Sequence, residues 1–140
     1  MNTNKRIYYL PFFLLALSIS YATCTYKNGN QINPLQDCSG LMPDTVSFSK
    51  NIIPLLTTNC AIPTCHSGSK PAGSLNLDAS AAYSQLGKSG SGYIDTLNPT
   101  YSVLYSSLVS TSTPMPPNES LSTCNLQLIQ KWMKQGGKNN

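Results

Sequence analysis

The chemistry of this chain concentrates in one short run, Cys60-Ala61-Ile62-Pro63-Thr64-Cys65-His66. It sets two thiols beside His66, the only histidine in 140 residues. A Cys-x-x-Cys-His run is the attachment signature of a c-type haem: the thiols add across the haem vinyl groups and the adjacent imidazole ligates the iron. Here four residues separate the cysteines instead of two. Two other readings compete. One is an accidental cluster, a disulfide or two free thiols beside an unrelated histidine. The other is structural zinc, which wants four Cys, His or carboxylate ligands at definite spacings. The remaining thiols are distant, and there is no second Cys-x2-Cys or His-x3-His. Haem is favoured because the one histidine directly follows the cysteine pair.

Met115 is the second chemical candidate. An iron with histidine on one side often takes a methionine thioether on the other, which raises its reduction potential. Such a ligand needs a rigid downstream loop, and Pro114-Met115-Pro116-Pro117 is stiffened on both sides. Met42 precedes the cysteines in a polar stretch, and the spacing of Met133 puts it in a core, so both are poorer candidates. Three cysteines remain. If Cys60 and Cys65 hold haem and Cys24 carries a lipid, Cys38 and Cys124 are left to form a disulfide. Without the lipid, one of Cys24, Cys38 and Cys124 is unpaired.

Several elements must position these groups. Thr45 to Asn59 is expected to be helical, capped by Ser47 or Ser49. Phe48, Ile52, Leu55 and Leu56 make one apolar face that leads into Cys60, and Pro54 must kink this helix or lie near its first turn. A polar loop follows His66, and Leu75 and Leu77 alternate as an extended segment. Asp78 is expected to cap a helix from Ala79 to Leu86 that ends at Gly87. Asn98-Pro99 reads as the start of a helix to Val109, with Leu104, Tyr105 and Leu108 inward. The last helix, about Thr123 to Gln135, presents Leu126, Ile129, Trp132 and Met133, with Ser122 or Thr123 as cap and Gly136-Gly137 as stop. Trp132, and less strongly Tyr83, Tyr93, Tyr101 and Tyr105, are candidates to line a cofactor crevice.

The N-terminus reads as an export signal, residues 1–23. Lys5 and Arg6 precede an apolar run from Ile7 to Ile19, which Pro11 interrupts and which is short for a membrane span. Ser20-Tyr21-Ala22 suits cleavage after Ala22, whereas Tyr21-Ala22-Thr23-Cys24 is a degenerate lipobox, and cysteine parity favours a lipid on Cys24. Residues 24–44 read as a flexible tether with Cys38 as its fixed point, and residues 45–138 as the domain. Formal charge is +4, and without Lys5 and Arg6 about +2, too weakly basic to suggest nucleic acid as a partner. Such a domain has a small hydrophobic core, so a staple or cofactor is expected to help hold it. Five cysteines point to an oxidising compartment.

The ordered set Phe48 to Leu56, Cys60 to His66, Gly73 to Leu77, Ser102 to Tyr105, Met115 to Pro117 and Leu128 to Gly136 resembles the small secreted monohaem cytochrome c domains of bacterial lipoproteins, related to the planctomycete-type cytochrome c domain. The resemblance covers roughly residues 45–138. It implies an all-α, cytochrome c-like domain of three to five helices wrapped around one covalent haem c. Cys60 and Cys65 would be the thioether cysteines, His66 the proximal ligand and Met115 the distal ligand. Four-residue gaps between the cysteines occur in some such cytochromes. The expectation is an electron carrier, not an enzyme, exported to the periplasm or anchored there by lipid, with redox proteins of the cell envelope as partners. The alternatives are a cofactor-free, disulfide-stapled lipoprotein and a haem sensor or peroxidase with an open distal site.

Overall fold

A computed structural model describes residues 37–117 and 119–140; the segment expected to be an export signal, Cys24 and most of the segment expected to be a tether lie outside the described residues. Among the described residues the fold is helical, with no strand: α1 is Ile53–Asn59, α2 Ala82–Leu86, α3 Val103–Leu108 and α4 Thr123–Lys134.

The first helix does not run as one α-helix from Thr45. Ser47 caps it, accepting from Lys50 N at 3.2 Å, and Phe48–Ile52 is a wider π-helical turn before α1 begins. Pro54 accounts for the change. Its ring would crowd the carbonyl four residues back in an α-helix, and a wider preceding turn relieves that contact. The apolar face survives, with Phe48, Ile52, Leu55 and Leu56 all buried.

The third helix also departs from expectation. Pro99–Tyr101 is a separate 3-10 turn, and the chain breaks at Ser102 (ψ 145°) before α3. Ser102 is the cap: its buried hydroxyl donates to Pro99 O at 2.7 Å and accepts from Tyr105 N at 3.1 Å. Asn98 makes no side-chain cap bond. The second helix is shorter than expected. The Ala81 and Ala82 N–H groups bond to the backbone carbonyl of Asp78 rather than to its carboxylate.

The last helix forms as its pattern demands. Ser122 caps it, accepting from Asn125 N at 3.2 Å, and Leu126, Ile129, Trp132 and Met133 are buried. α4 packs across the Phe48–Ile52 turn, the Pro99–Tyr101 turn and α3. Trp132 packs against Phe48 at 5.1 Å with the rings tilted by 32°, and Phe48 meets Tyr83 edge-on at 5.1 Å, so three helical elements share one aromatic centre.

Gly136 (φ 95°) and Gly137 (φ 59°) end α4 in left-handed conformations, with Gly136 N bonded to Met133 O and Gly137 N to Trp132 O. The chain then folds back. Lys138 O accepts from Trp132 Nε1 at 2.9 Å, and Gly137 O from the Tyr83 hydroxyl at 3.1 Å. Asn140 reaches the start of the first helix. Its Oδ1 accepts from Phe48 N at 2.9 Å, and its backbone oxygen accepts from the Ser47 and Ser49 hydroxyls at 2.7 and 2.8 Å.

A disulfide joins Cys38 to Cys124, with 5.5 Å between Cα atoms. Cys38 is not the sole fixed point of the segment before the first helix. Lys131 Nζ donates to Pro43 O at 2.7 Å, and Gln135 Nε2 to Asp44 O at 2.8 Å.

Candidate functional site

At the end of α1 the chain turns sharply. Cys60 N and Ala61 N both bond to Leu56 O at 2.8 Å. Cys65 N then bonds to Ile62 O at 3.0 Å, and His66 N reaches back to Cys60 O at 3.1 Å. The four residues between the cysteines are therefore taken up in a closed loop, and His66 is bonded to the residue that opens it. Closure requires Thr64 to adopt φ 70°, an unfavourable region for a β-branched residue.

The imidazole is oriented by backbone. His66 Nδ1 lies 3.1 Å from Ala72 O and 3.2 Å from Leu75 O. Carbonyl oxygens only accept, so Nδ1 carries a proton; in the neutral ring that leaves the lone pair on Nε2, the tautomer in which a histidine binds a metal through that nitrogen. The chain around it is tied by Ala72 N to Cys65 O at 2.7 Å and by Leu77 N to His66 O at 2.8 Å.

Met115 arrives from the other loop. Its N–H bonds to Ser107 O on α3 at 3.0 Å, and a cis peptide links it to Pro116. One cavity of about 400 Å³ collects the four groups: Cys60, Cys65, His66 and Met115 all line it, with Ile62, Pro116 and Pro117 adding apolar surface. Cys60 is buried and Cys65 half-buried, and both are free thiols. Burial, and then the neighbouring Cys65, push the Cys60 thiol up to about 11, so it stays protonated at neutral pH.

Other residues singled out by the sequence lie elsewhere. Trp132 does not line this cavity. It is fully buried against Phe48, and borders instead a smaller space of about 270 Å³ beside Lys138 and Asn140. Tyr83, Tyr93, Tyr101 and Tyr105 are likewise absent from the cavity wall. Met133 is in the core, as its spacing indicates. The Asp78 carboxylate, read as a helix cap, accepts instead from Ser67 Oγ at 2.6 Å and Gly68 N at 3.0 Å, in the loop that follows His66. Those partners are ten and eleven residues away, so no local pattern marked them.

The donor set fits a covalently attached haem. Two unpaired thiols, an imidazole with its outer nitrogen tied to carbonyls and a thioether share one mainly apolar cavity. A zinc site has less support: among the described residues no three His, Cys, Asp or Glu side chains come together to hold a metal ion.

Residues 63–119 match the protein family described as Planctomycete cytochrome C. This relates the chain to the planctomycete-type cytochrome c domain, over a segment that includes Cys65, His66 and Met115. A cytochrome c domain implies haem and points to a c-type cytochrome. No curated protein and no solved structure matches the chain.

Proposed function

We propose that this chain is an exported monohaem c-type cytochrome that passes single electrons between proteins of the cell envelope. The observation that carries this reading is the shared cavity, which gathers Cys60, Cys65, His66 and Met115 from two loops far apart in sequence. Cys60 and Cys65 would hold the haem through thioether bonds. His66 would present Nε2 to the iron, with Nδ1 held by Ala72 and Leu75. Met115 would offer its thioether as the opposing ligand, on a loop hung from Ser107 of α3. Bound haem supplies the one-electron chemistry; the protein supplies ligands, orientation and exclusion of water. On this reading His66 is committed to the iron, and the cytochrome family match favours a carrier over an enzyme.

Anchoring is part of the proposal. A lipid on Cys24 would leave the domain on a tether whose far end is stapled at Cys38. Intact-mass analysis of the exported protein tests this: a diacylglyceryl-modified Cys24 at the N-terminus supports it, and an unmodified chain starting at Thr23 does not.

A cofactor-free, stapled lipoprotein is the second reading. The Cys38–Cys124 disulfide and the aromatic centre around Trp132 favour it, since both hold the fold without any ligand. A haem-staining and mass experiment on protein from a host with cytochrome c maturation separates the two.

A further inference from the structure

We propose that Asp78 is a positioning residue for His66: its carboxylate locks the neck of the loop whose carbonyls hold the imidazole. The part of this that concerns the iron rests on the function proposed above.

Residues 66–78 form a loop closed at its base by Leu77 N bonding to His66 O at 2.8 Å. The inner side of that loop supplies Ala72 O and Leu75 O, the two acceptors of the His66 Nδ1 proton. Ala72 N to Cys65 O at 2.7 Å holds one side of that loop, and the neck holds the other. Asp78 fixes the neck twice, through Ser67 Oγ at 2.6 Å and Gly68 N at 3.0 Å. Gly68 sits at φ 79°, a conformation that suits glycine. Asn76 completes the fastening: its Nδ2 donates to Gly68 O at 3.0 Å and its Oδ1 accepts from Asp78 N at 2.8 Å. The Ser67 and Gly68 bonds also hold the Asp78 carboxyl below the usual carboxylate range, so it is anionic at neutral pH.

Two effects on the axial ligand follow. The clasp fixes ring orientation and keeps Nδ1–H engaged, which makes the imidazole a stronger donor. It also places a negative charge beside the ligand loop, which favours the oxidised iron. Loosening the clasp should therefore raise the reduction potential.

The test uses the full-length, haem-loaded chain and the variants Asp78→Asn, Asp78→Ala and Ser67→Ala. Asp78→Asn removes the charge but keeps one acceptor, and Ser67→Ala removes only the shortest bond. The expected result is a potential that rises from wild type through Asp78→Asn to Asp78→Ala, with a smaller rise in Ser67→Ala. In the reduced protein, solvent exchange of the His66 Nδ1 proton should quicken several-fold in the same order. If potential and exchange stay at wild-type values while only the melting temperature falls, Asp78 is a fold-stabilising residue and the proposal is wrong. Should Asp78→Ala fail to fold, Asp78→Asn and Ser67→Ala decide the matter by the same two readouts. If the wild-type chain carries no haem, the functional reading fails by itself. The clasp is then judged from the ¹⁵N shifts of His66 in that chain, where a pure Nδ1–H tautomer in wild type and a mixture in the Asp78 variants is expected. An unchanged tautomer across the variants overturns the positioning role.

Discussion

The two ends of this domain are built on opposite terms. At one, the last residues fold back on the start of the first helix, and nearly every group has a partner. Trp132 is fully buried, its indole nitrogen is bonded to Lys138 O, and Asn140 ties Ser47, Phe48 and Ser49 together. At the other end, two loops border a cavity of about 400 Å³, and apolar side chains stay in contact with solvent: Ile62 is 41% and Met115 40% exposed. The first end is complete from protein alone. The second has oriented polar groups and unspent apolar surface, the condition of a site finished by a ligand. A small domain can tolerate that because its other end and, separately, the Cys38–Cys124 disulfide hold the fold.

Breaking what holds the fold without any ligand, the disulfide and the self-sufficient end, should have the largest effect on stability. Replacing both Cys38 and Cys124 by serine opens a loop with a sequence separation of 86 residues. On the chain-entropy argument this removes about 4–5 kcal/mol of stability, read by urea denaturation of the oxidised protein against the double variant. Trp132→Ala empties the aromatic centre and is expected to lose about 3–5 kcal/mol by the same measurement, whether or not haem is attached.

The cavity end should behave in reverse. Met115→Ala removes a side chain that is partly in solvent, so its effect on unfolding of the haem-free chain should stay within about 1 kcal/mol. In haem-loaded protein the same change should abolish the weak red charge-transfer band of methionine-ligated ferric haem and open the iron to carbon monoxide. A wild-type protein that lacks the band and binds carbon monoxide readily would move the reading towards a sensor or peroxidase.

The smallest expected effect lies in the loop between the cysteines. Thr64 is held at φ 70°, and Thr64→Gly relieves that strain, raising stability by about 1 kcal/mol or less. A loss of stability would mean that the Thr64 side chain makes up for its backbone.

What the sequence made legible followed distance along the chain. The buried faces of the first and last helices follow from apolar spacing, and Ser47 and Ser122 from the preference for a hydroxyl at a helix start. The cysteine pair, His66 and Met115 stood out by residue type, and the fold brings all four to one cavity. Competing local signals were resolved by context. Asn98-Pro99 looked like a helix start, yet Ser102 caps α3 because its hydroxyl serves both Pro99 O and Tyr105 N. Trp132 looked like a crevice residue, but Phe48, which also meets Tyr83, offers it an aromatic partner away from the cavity. The Asp78 clasp and the fold-back of Asn140 depend on partners ten to more than ninety residues away, which no local pattern encodes.

The central claim is that the open end is finished by a covalent haem. The most direct measurement is a pyridine haemochrome spectrum with intact mass, on protein exported from a host that matures c-type cytochromes. The account predicts one haem per chain, retained after denaturation, with the mass increased by one haem and both Cys60 and Cys65 blocked to alkylation. A folded chain of unmodified mass, with both thiols free to react once denatured, would contradict it.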